Sequence, residues 1–252
     1  IRMKKKFAVG LVFLMAYFGF LIATLPATVL FNQVSLPQNL LLFGISGSVW
    51  QTKVEQVTVG ETVIKQVETE VDFLSLFSLA PTLPVTFGNP LLTGPEGALD
   101  ITFSQGIIEI DNLRLLLKAN DIAQQLTLSL PVTAKGDVEI NLSHAAINIE
   151  DSNKCLTADG MVSWSKAGVV ALEENIPLGR FNAKLACEDG VLALLLSPEN
   201  NLGLTFSAYV RKGGRVSGNG FLKPGDKFPP ALTSTLPFLG RKDSQGRYRL
   251  SF

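Results

Sequence analysis

The sequence has few of the side chains from which enzymes and metalloproteins build their sites. Its 252 residues include one histidine, His144, and two cysteines, Cys155 and Cys187. A structural zinc ion is held by four cysteine or histidine ligands, usually in closely spaced pairs. One histidine and two distant cysteines do not make such a set, so the composition argues against a zinc site. His144 lies in a strand-like stretch, where a surface residue or one with its hydrogen bonds satisfied is expected, and not a general base.

Sequence motifs for nucleotide and acyl chemistry are also absent. The chain has no phosphate loop of the Walker type and no glycine fingerprint for dinucleotides. The segment from Gly44 to Ser48 begins like a nucleophile elbow, but serine replaces the final glycine and a strand pattern follows. Glu68, Glu70 and Asp72 have a period of two, which is typical of the solvated face of a strand. We therefore predict no catalytic residue, metal or cofactor.

The chain also lacks the excess of basic residues that nucleic-acid binding requires. Its formal net charge is zero, with 22 basic and 22 acidic residues. Arg2, Lys4, Lys5 and Lys6 are four of the basic residues, whereas the first acidic residue is Glu55. Acidic residues therefore outnumber basic ones in the rest of the chain, which argues against a nucleic-acid partner.

The first apolar run, Phe7 to Leu25, contains no charged residue and directly follows Lys4, Lys5 and Lys6. A bilayer core of about 30 Å needs roughly 20 apolar residues in a helix. Basic residues before a first span hold that end in the cytoplasm. We expect a cytoplasmic tip over 1–6, a transmembrane helix over 7–25, a connector over 26–39 and an exported domain over 40–252. The predicted membrane anchor residues are Phe7, Leu11, Phe13, Leu14, Phe18, Leu21 and Leu25.

A cleaved signal peptide is the main alternative to this anchor. It would have the same lysines, and residues 25–27 resemble a poor cleavage site. The apolar cores of signal peptides are usually shorter, about 7–15 residues. A buried core helix fits less well, because such helices usually have a polar stripe. The anchor and the signal peptide both export the remainder of the chain.

An alternation of apolar and polar residues dominates the exported part and predicts strands with one apolar face. The clearest segments are Leu99–Phe103, Leu126–Leu130, Val138–Leu142, Leu204–Val210 and Tyr248–Phe252, and residues 40–43 begin a strand or end a short helix. Turn-forming pairs at Asp111–Asn112, Asp159–Gly160 and Asp189–Gly190 separate the strands and favour hairpins. Strands joined by short turns pair antiparallel.

Helices are predicted to be few and short in the exported part. Residues 73–79 and 227–239 have helical character, but three prolines interrupt the second segment, and residues 122–125 form at most one turn. We therefore predict a mainly β fold, a long antiparallel sheet. With few helices to cover its apolar face, the sheet must bend strongly or pack against a second sheet.

Both cysteines lie in the exported part, where an oxidising compartment favours pairing. We expect a disulfide between Cys155 and Cys187; two buried free thiols are the alternative. A bond that closes a loop of about 30 residues contributes about 3–4 kcal/mol in the chain-entropy model.

Ser46, Gly47, Ser48, Val49 and Trp50 form a short motif at the start of the exported domain, with a weaker echo at Asp159–Trp164. This motif and the order of the segments resemble the N component of bacterial type II secretion systems. That family has this layout over its full length, as a single-pass inner-membrane protein with a periplasmic β-rich body. The resemblance implies a non-enzymatic component that assists export of folded periplasmic proteins across the outer membrane. Its implied partners are other inner-membrane and periplasmic subunits of the secretion system.

This family is in turn similar to AsmA-like envelope proteins, whose long antiparallel sheet forms a groove with an apolar inner face. That similarity implies an open, curved sheet rather than a closed sandwich. It also supports a second hypothesis, in which the groove binds lipid or another hydrophobic molecule. The leucines that indicate such a groove are Leu115, Leu117, Leu192, Leu194 and Leu196.

Overall fold

The structure, a computed structural model, describes residues 2–251 except 32–39, 61, 72–79, 90, 92–93, 126–132, 152, 172–173 and 212–214. The side chains of residues 2–9, 30, 125 and 171 lie outside this description as well. The side chains of the predicted topology determinants Lys4, Lys5 and Lys6 and of the anchor residue Phe7 therefore fall outside the description. The helix predicted over 73–79 and the strand predicted over 126–130 lie wholly outside the described residues.

The described residues form one antiparallel sheet in which thirteen strands follow each other in chain order. The strands are β1 (Leu40–Gly47), β2 (Gln51–Val59), β3 (Thr62–Glu70), β4 (Thr82–Phe87), β5 (Glu96–Ser104), β6 (Ile107–Lys118), β7 (Thr133–Asn148), β8 (Lys154–Ala171), β9 (Glu174–Glu188), β10 (Val191–Leu196), β11 (Leu204–Val210), β12 (Val216–Leu222) and β13 (Tyr248–Ser251). Most connections between successive strands are short, which favours antiparallel neighbours, whereas longer segments at 71–81, 119–132 and 223–247 join β3 to β4, β6 to β7 and β12 to β13. The predicted mainly β, antiparallel fold is confirmed.

The two faces of the sheet differ in polarity because apolar and polar residues alternate along the strands. Directly paired residues on neighbouring strands share a face. One row across β6 to β13 contains Leu115, Ile140, Val162, Ala183, Leu196, Phe206, Gly220 and Leu250. The neighbouring row points to the opposite side and contains Arg114, Asn141, Met161, Lys184, Leu195, Ser207, Asn219 and Ser251. We term these sides the apolar face and the polar face.

The sheet is open, and no second sheet covers its apolar face within the described residues. The chain exposes 17264 Å², whereas a compact monomer of this length exposes about 11,000 Å². Helix α3 (Ala119–Gln125) packs near β6 and β7, and a 3-10 helix (Pro230–Leu239) places Leu236 against Leu222 and Tyr248. The open curved sheet is therefore correct, and the alternative of two packed sheets is wrong.

Irregular pairing bends the long central strands. Strands β7, β8 and β9 have 16, 18 and 15 residues, longer than the usual 3–10 or so. Their register shifts beside Gly136, between Lys135 and Asp137. Gly136 has φ 98°, and a Cβ atom there would overlap the carbonyl oxygen of Ser165. Because bulges bend a strand and increase its twist, they explain the curvature.

Two turn-forming pairs from the sequence lie inside strands. Asp189–Gly190 does link β9 to β10, as predicted. Asp111–Asn112 and Asp159–Gly160 instead lie within β6 and β8, so the prediction of turns there is wrong. Asn112 has φ 53° and is an extra residue in β6 opposite Leu99 of β5. The positive φ of Asn112, which would suit a turn, therefore forms a bulge within β6 instead of ending the strand.

The amino-terminal helices differ from the predicted boundaries. Helix α1 spans Arg2–Ala23, and helix α2, Ala27–Phe31, lies in the predicted connector. Pro26 explains the break, because proline lacks an N–H group and disfavours the helical conformation of the residue before it. Within the part of the chain that the structure describes, no helix is both long enough and apolar enough to cross a membrane.

The two helices later in the chain agree with the sequence-based predictions to different degrees. The 3-10 helix Pro230–Leu239 contains Pro237, as expected for the short, interrupted helix predicted over 227–239. Helix α3 has seven residues, so the prediction of at most one turn at 122–125 is too short. Its packing near β6 and β7 supplies tertiary stabilisation that sequence propensity does not include.

Candidate functional site

The motif Ser46–Trp50 lies where the amino-terminal helices meet the sheet. Ser46 and Gly47 end β1, and Ser48 forms a bridge with Pro26, the residue between α1 and α2. The backbone N–H of Val49 donates a hydrogen bond of 3.0 Å to the carbonyl oxygen of Leu25. The motif therefore pairs with the segment that links the two helices. We term this region the helix–sheet joint.

Trp50 connects the joint to α1 itself. Its indole Nε1–H donates a hydrogen bond of 2.9 Å to the carbonyl oxygen of Ile22. The last carbonyls of a helix have no partner within the helix, so such a donor stabilises the helix end. The backbone N–H of Val71, just after β3, donates to the carbonyl oxygen of Trp50 at 2.7 Å. One residue thus joins α1 to two strands of the sheet.

Gly47 and Ser48 shape the turn that presents Trp50. The carbonyl oxygen of Ser48 accepts hydrogen bonds from the Gln51 N–H, at 3.2 Å, and from Thr52 Oγ1, at 3.0 Å. Gly47 has φ 86°, and a Cβ atom there would overlap the carbonyl oxygen of Gln51. Only glycine adopts this conformation without strain. The glycine and tryptophan of the motif therefore follow from the geometry of the joint.

The second tryptophan makes a similar hydrogen bond in a different place. Nε1–H of Trp164 donates to the carbonyl oxygen of Lys135 at 2.9 Å, and its ring stacks on Phe181 with centroids 5.4 Å apart. Trp164 lies in β8, six strands from the joint, and packs against a buried cluster formed by Ala167, Ile176, Leu178 and Phe181. The Asp159–Trp164 echo of the motif therefore stabilises the sheet and does not contribute to the joint.

An apolar cavity of about 740 Å³ opens beside α3. Its apolar lining includes Ile64, Phe87, Leu115, Leu117 and Ile122, and its polar lining includes Lys65 and Asp121. The volume lies within the range of about 300–1,000 Å³ that is typical of small-molecule sites. Of the leucines singled out in the sequence, Leu115 and Leu117 contribute to this cavity.

Residues of β3, β4 and β6 line this cavity. β3 and β4 pair at Glu68–Thr86 and Thr69–Val85, and the N–H of Gly88, just after β4, donates a hydrogen bond of 2.8 Å to the carbonyl oxygen of Lys65. Residues 62–65 of β3, beyond these two pairs, contribute to the cavity lining. Sequence reasoning missed this feature because alternation predicts each strand separately and does not reveal how many residues two strands share.

Leu192, Leu194 and Leu196 share the apolar face of β10, as strand alternation predicts. Leu194 lies between Leu185 of β9 and Ala208 of β11. Leu196 also packs against the buried cluster around Phe181. These three leucines are not part of the cavity lined by Leu115 and Leu117. The five leucines therefore occupy two separate regions of the apolar face.

The two cysteines form a disulfide, which confirms the predicted pair. The Cα atoms of Cys155 and Cys187 are 5.6 Å apart. Cys155 is buried, and its backbone N–H donates to the carbonyl oxygen of Gly190 at 2.9 Å. The bond thus ties the start of β8 to the end of β9, beside the turn into β10.

The polar residues singled out in the sequence form isolated pairs. Nδ1 of His144 lies 2.7 Å from Oδ1 of Asp111, and Nζ of Lys53 lies 2.9 Å from Oε1 of Glu68. Asp72 lies outside the described residues. Among the residues that are described, no three acidic, histidine or cysteine side chains are placed to hold a metal ion.

Comparisons with known proteins extend over the joint and the sheet. The sequence model of the family described as "Type II secretion system (T2SS), protein N" matches residues 38–251. A protein of Aeromonas hydrophila named Type II secretion system protein N is 28% identical over 99% of this chain and 98% of its own length. Proteins of the same name from Klebsiella pneumoniae and Vibrio cholerae are 28% and 24% identical, over 97% and 98% of this chain and 94% and 97% of their own lengths. No solved structure matches the chain.

Proposed function

Because this chain belongs to the protein N family of type II secretion systems, we propose that it is a non-enzymatic inner-membrane component of that system. In this role it assists the export of folded periplasmic proteins across the outer membrane. The main support for the proposal is the family match, which covers residues 38–251 and hence the sheet and the motif Ser46–Trp50. Relatives of this name align over nearly the whole chain, which supports the same role for the amino-terminal segment.

The proposal places the segment Phe7 to Leu25 in the inner membrane and the sheet in the periplasm. The run has no charge, and Lys4, Lys5 and Lys6 precede it. Every described side chain from Gly10 to Pro26 is exposed, including Phe13 at 72%. Large exposed apolar surfaces mark contacts with a membrane or another protein. The lysines favour a cytoplasmic amino terminus.

Amino-terminal sequencing of the mature, membrane-extracted protein tests this placement against the cleaved signal peptide. We expect an uncleaved amino terminus and a protein that stays in the membrane fraction after carbonate washing. A mature protein that starts near Thr28 and is released by osmotic shock would contradict the anchor. It would leave the periplasmic placement of the sheet intact.

We propose that the sheet acts as a platform for other subunits of the secretion system. β1 is an edge strand that has a neighbour on one side only among the described strands. It carries no charged residue, and Leu41 and Phe43 are each 53% exposed. Exposed edges of this kind accept an added strand from a partner. The other edge, β13, has four residues including Arg249, so it is less suited to pairing.

A second candidate function, the binding of lipid or another hydrophobic molecule, is supported by the cavity beside α3. Its apolar lining and its volume suit a hydrophobic molecule. Lipid extraction from gently purified protein tests this candidate. A stoichiometric lipid that is lost on Leu117→Asp substitution, in a protein that stays folded, would support the lipid function.

The export role is tested by deleting the gene in its host and measuring how fast a type II substrate reaches the medium. We expect slower export and a larger periplasmic pool of the folded substrate. Re-expression of the wild-type chain should restore the rate, and a chain without residues 1–25, exported by a cleavable signal, should restore it less. An unchanged rate in the deletion strain would contradict the export role.

A further inference from the structure

A small apolar cavity lies at the helix–sheet joint, apart from the larger cavity beside α3. It has a volume of about 400 Å³ and is lined by Gly19, Ile22 and Ala23 of α1 and by Trp50. Three of these residues have no polar side-chain atom. The indole N–H of Trp50 is bonded to the carbonyl oxygen of Ile22. Towards α1, the ring of Trp50 therefore meets apolar residues, and its N–H donor is bonded to the protein.

The polarity of the surface changes at Trp50. On the sheet side of the ring, a second space is lined by residues that include Ser48, Gln51 and Glu70. Nε2 of Gln51 donates to Oε1 of Glu70 at 3.3 Å. Two residues further along β2, Lys53 forms its ion pair with Glu68. Trp50 thus marks the boundary between the apolar end of α1 and the charged surface of the first strands.

The surface next to the joint continues the apolar character of α1. Leu25 is 40% exposed, and Val29 of α2 is 46% exposed. Helix α2, Ala-Thr-Val-Leu-Phe, contains no charged residue. An uncharged surface therefore extends from the last turn of α1 to α2.

We infer that the joint rests on the periplasmic surface of the lipid bilayer, with the Trp50 ring among the acyl chains just below the headgroups. This inference rests on the proposed membrane placement of α1. The small cavity is continuous with the apolar surface of α1, so the same lipid that surrounds the helix fills it. Tryptophan favours this interface, because its large ring is apolar and its N–H group is polar.

This position has a consequence for the sheet. The hydrogen bond to Ile22 and the pairing of Ser48 with Pro26 hold the first hairpin at the end of the helix. The sheet therefore begins at the bilayer surface and is not separated from it by a flexible tether. The later strands follow in chain order from this first hairpin.

The two tryptophans of the chain allow a direct test. The full-length protein is placed in phosphatidylcholine–phosphatidylglycerol vesicles whose acyl chains carry bromine atoms close to the headgroups, or none. Trp164→Phe leaves Trp50 as the only tryptophan, and Trp50→Phe leaves Trp164. The variants are matched, because each loses an indole hydrogen bond of 2.9 Å to a backbone carbonyl. Bromine quenches tryptophan emission only at short range.

We expect the emission of the Trp164→Phe variant to fall by at least half in brominated vesicles and that of Trp50→Phe to stay unchanged. If the Trp164→Phe variant does not fold, the quenching of Trp50 is obtained from the difference in quenching between the wild type and the Trp50→Phe variant. Vesicle flotation distinguishes a wrong position of Trp50 from the absence of a membrane anchor. A protein that floats with the vesicles but shows no quenching of Trp50 would overturn the inference and leave the anchor intact. A protein that does not float would overturn both.

Discussion

The indole nitrogen of Trp50 lies 2.9 Å from the carbonyl oxygen of Ile22, which precedes it by 28 residues. This hydrogen bond and the pairing of Val49 with Leu25 tie the end of α1 to the first turn of the sheet. Tryptophan suits the position because it combines an N–H donor with a large apolar ring. The motif that resembles the secretion family is therefore a structural joint.

Trp50→Phe should loosen this joint, because phenylalanine keeps an aromatic ring but loses the donor. We expect the free energy of unfolding to fall by about 0.5–1.5 kcal/mol. Hydrogen exchange should become faster at the backbone amides of Thr24 and Leu25. The Trp164→Phe variant is the control, and in this variant the rate of hydrogen exchange should change around Lys135 instead. Unchanged exchange at Thr24 and Leu25 in Trp50→Phe would show that the bond does not hold the helix end.

Gly47→Ala should destabilise the turn that carries Trp50. The φ of 86° disfavours any residue with a Cβ atom, and that atom would overlap the carbonyl oxygen of Gln51. We expect a loss of more than about 1 kcal/mol in urea unfolding. Gly225→Ala is the matched control, because a Cβ atom at Gly225 has no neighbour within 4 Å. Equal stability of the two variants would contradict this account of the motif.

Cys155→Ser should remove the bond between the start of β8 and the end of β9. We expect the free energy of unfolding to fall by roughly 2–4 kcal/mol. In the wild type, thiol labelling under denaturing, non-reducing conditions should find no free sulfhydryl. Two labelled thiols in protein from freshly isolated envelopes would contradict the disulfide.

Much of the fold follows from the sequence because the strand period is visible residue by residue. Val138, Ile140 and Leu142 alternate with polar residues and lie on one face of β7, as predicted. The length of the strands was harder to predict. Asp159 and Gly160 are chemically suited to a turn, but they continue β8 because pairing with β7 and β9 outweighs local preference.

The candidate site was less predictable than the fold. The motif Ser46–Trp50 was visible in the sequence, but its contact with Ile22 was not, because it depends on how the chain returns to the end of α1. The cavity beside α3 is lined by residues of β3, β4 and β6, which are far apart in the sequence. Contacts of this kind arise from tertiary structure, and no local pattern encodes them.

Leu194→Asp separates the secretion role of the sheet from lipid binding. Leu194 points to the apolar face between Leu185 and Ala208. If this face is packed or closed by a partner subunit, a carboxylate there should lower the free energy of unfolding by about 2 kcal/mol or more. Thermal melts of the wild type and the variant measure this effect, and lipid extraction is done on the same samples.

Leu195→Asp is the matched control, because Leu195 lies on the polar face beside Lys184 and Ser207. We expect this variant to melt close to the wild type. If Leu194→Asp instead stays folded and loses a stoichiometric lipid that the wild type carries, lipid binding replaces the secretion role as the leading function. A destabilised variant, together with lipid-free wild type, would remove the main support for lipid binding.

The central claim, that this protein is a component of the type II secretion system, is tested most directly by capturing its partners. The tagged full-length protein is cross-linked in its host cells, purified from detergent extracts and analysed by mass spectrometry. An unrelated single-pass protein with the same tag serves as the control. We predict that other inner-membrane and periplasmic subunits of the secretion system are enriched over that control. Capture of the full-length protein with none of these subunits enriched would contradict the claim.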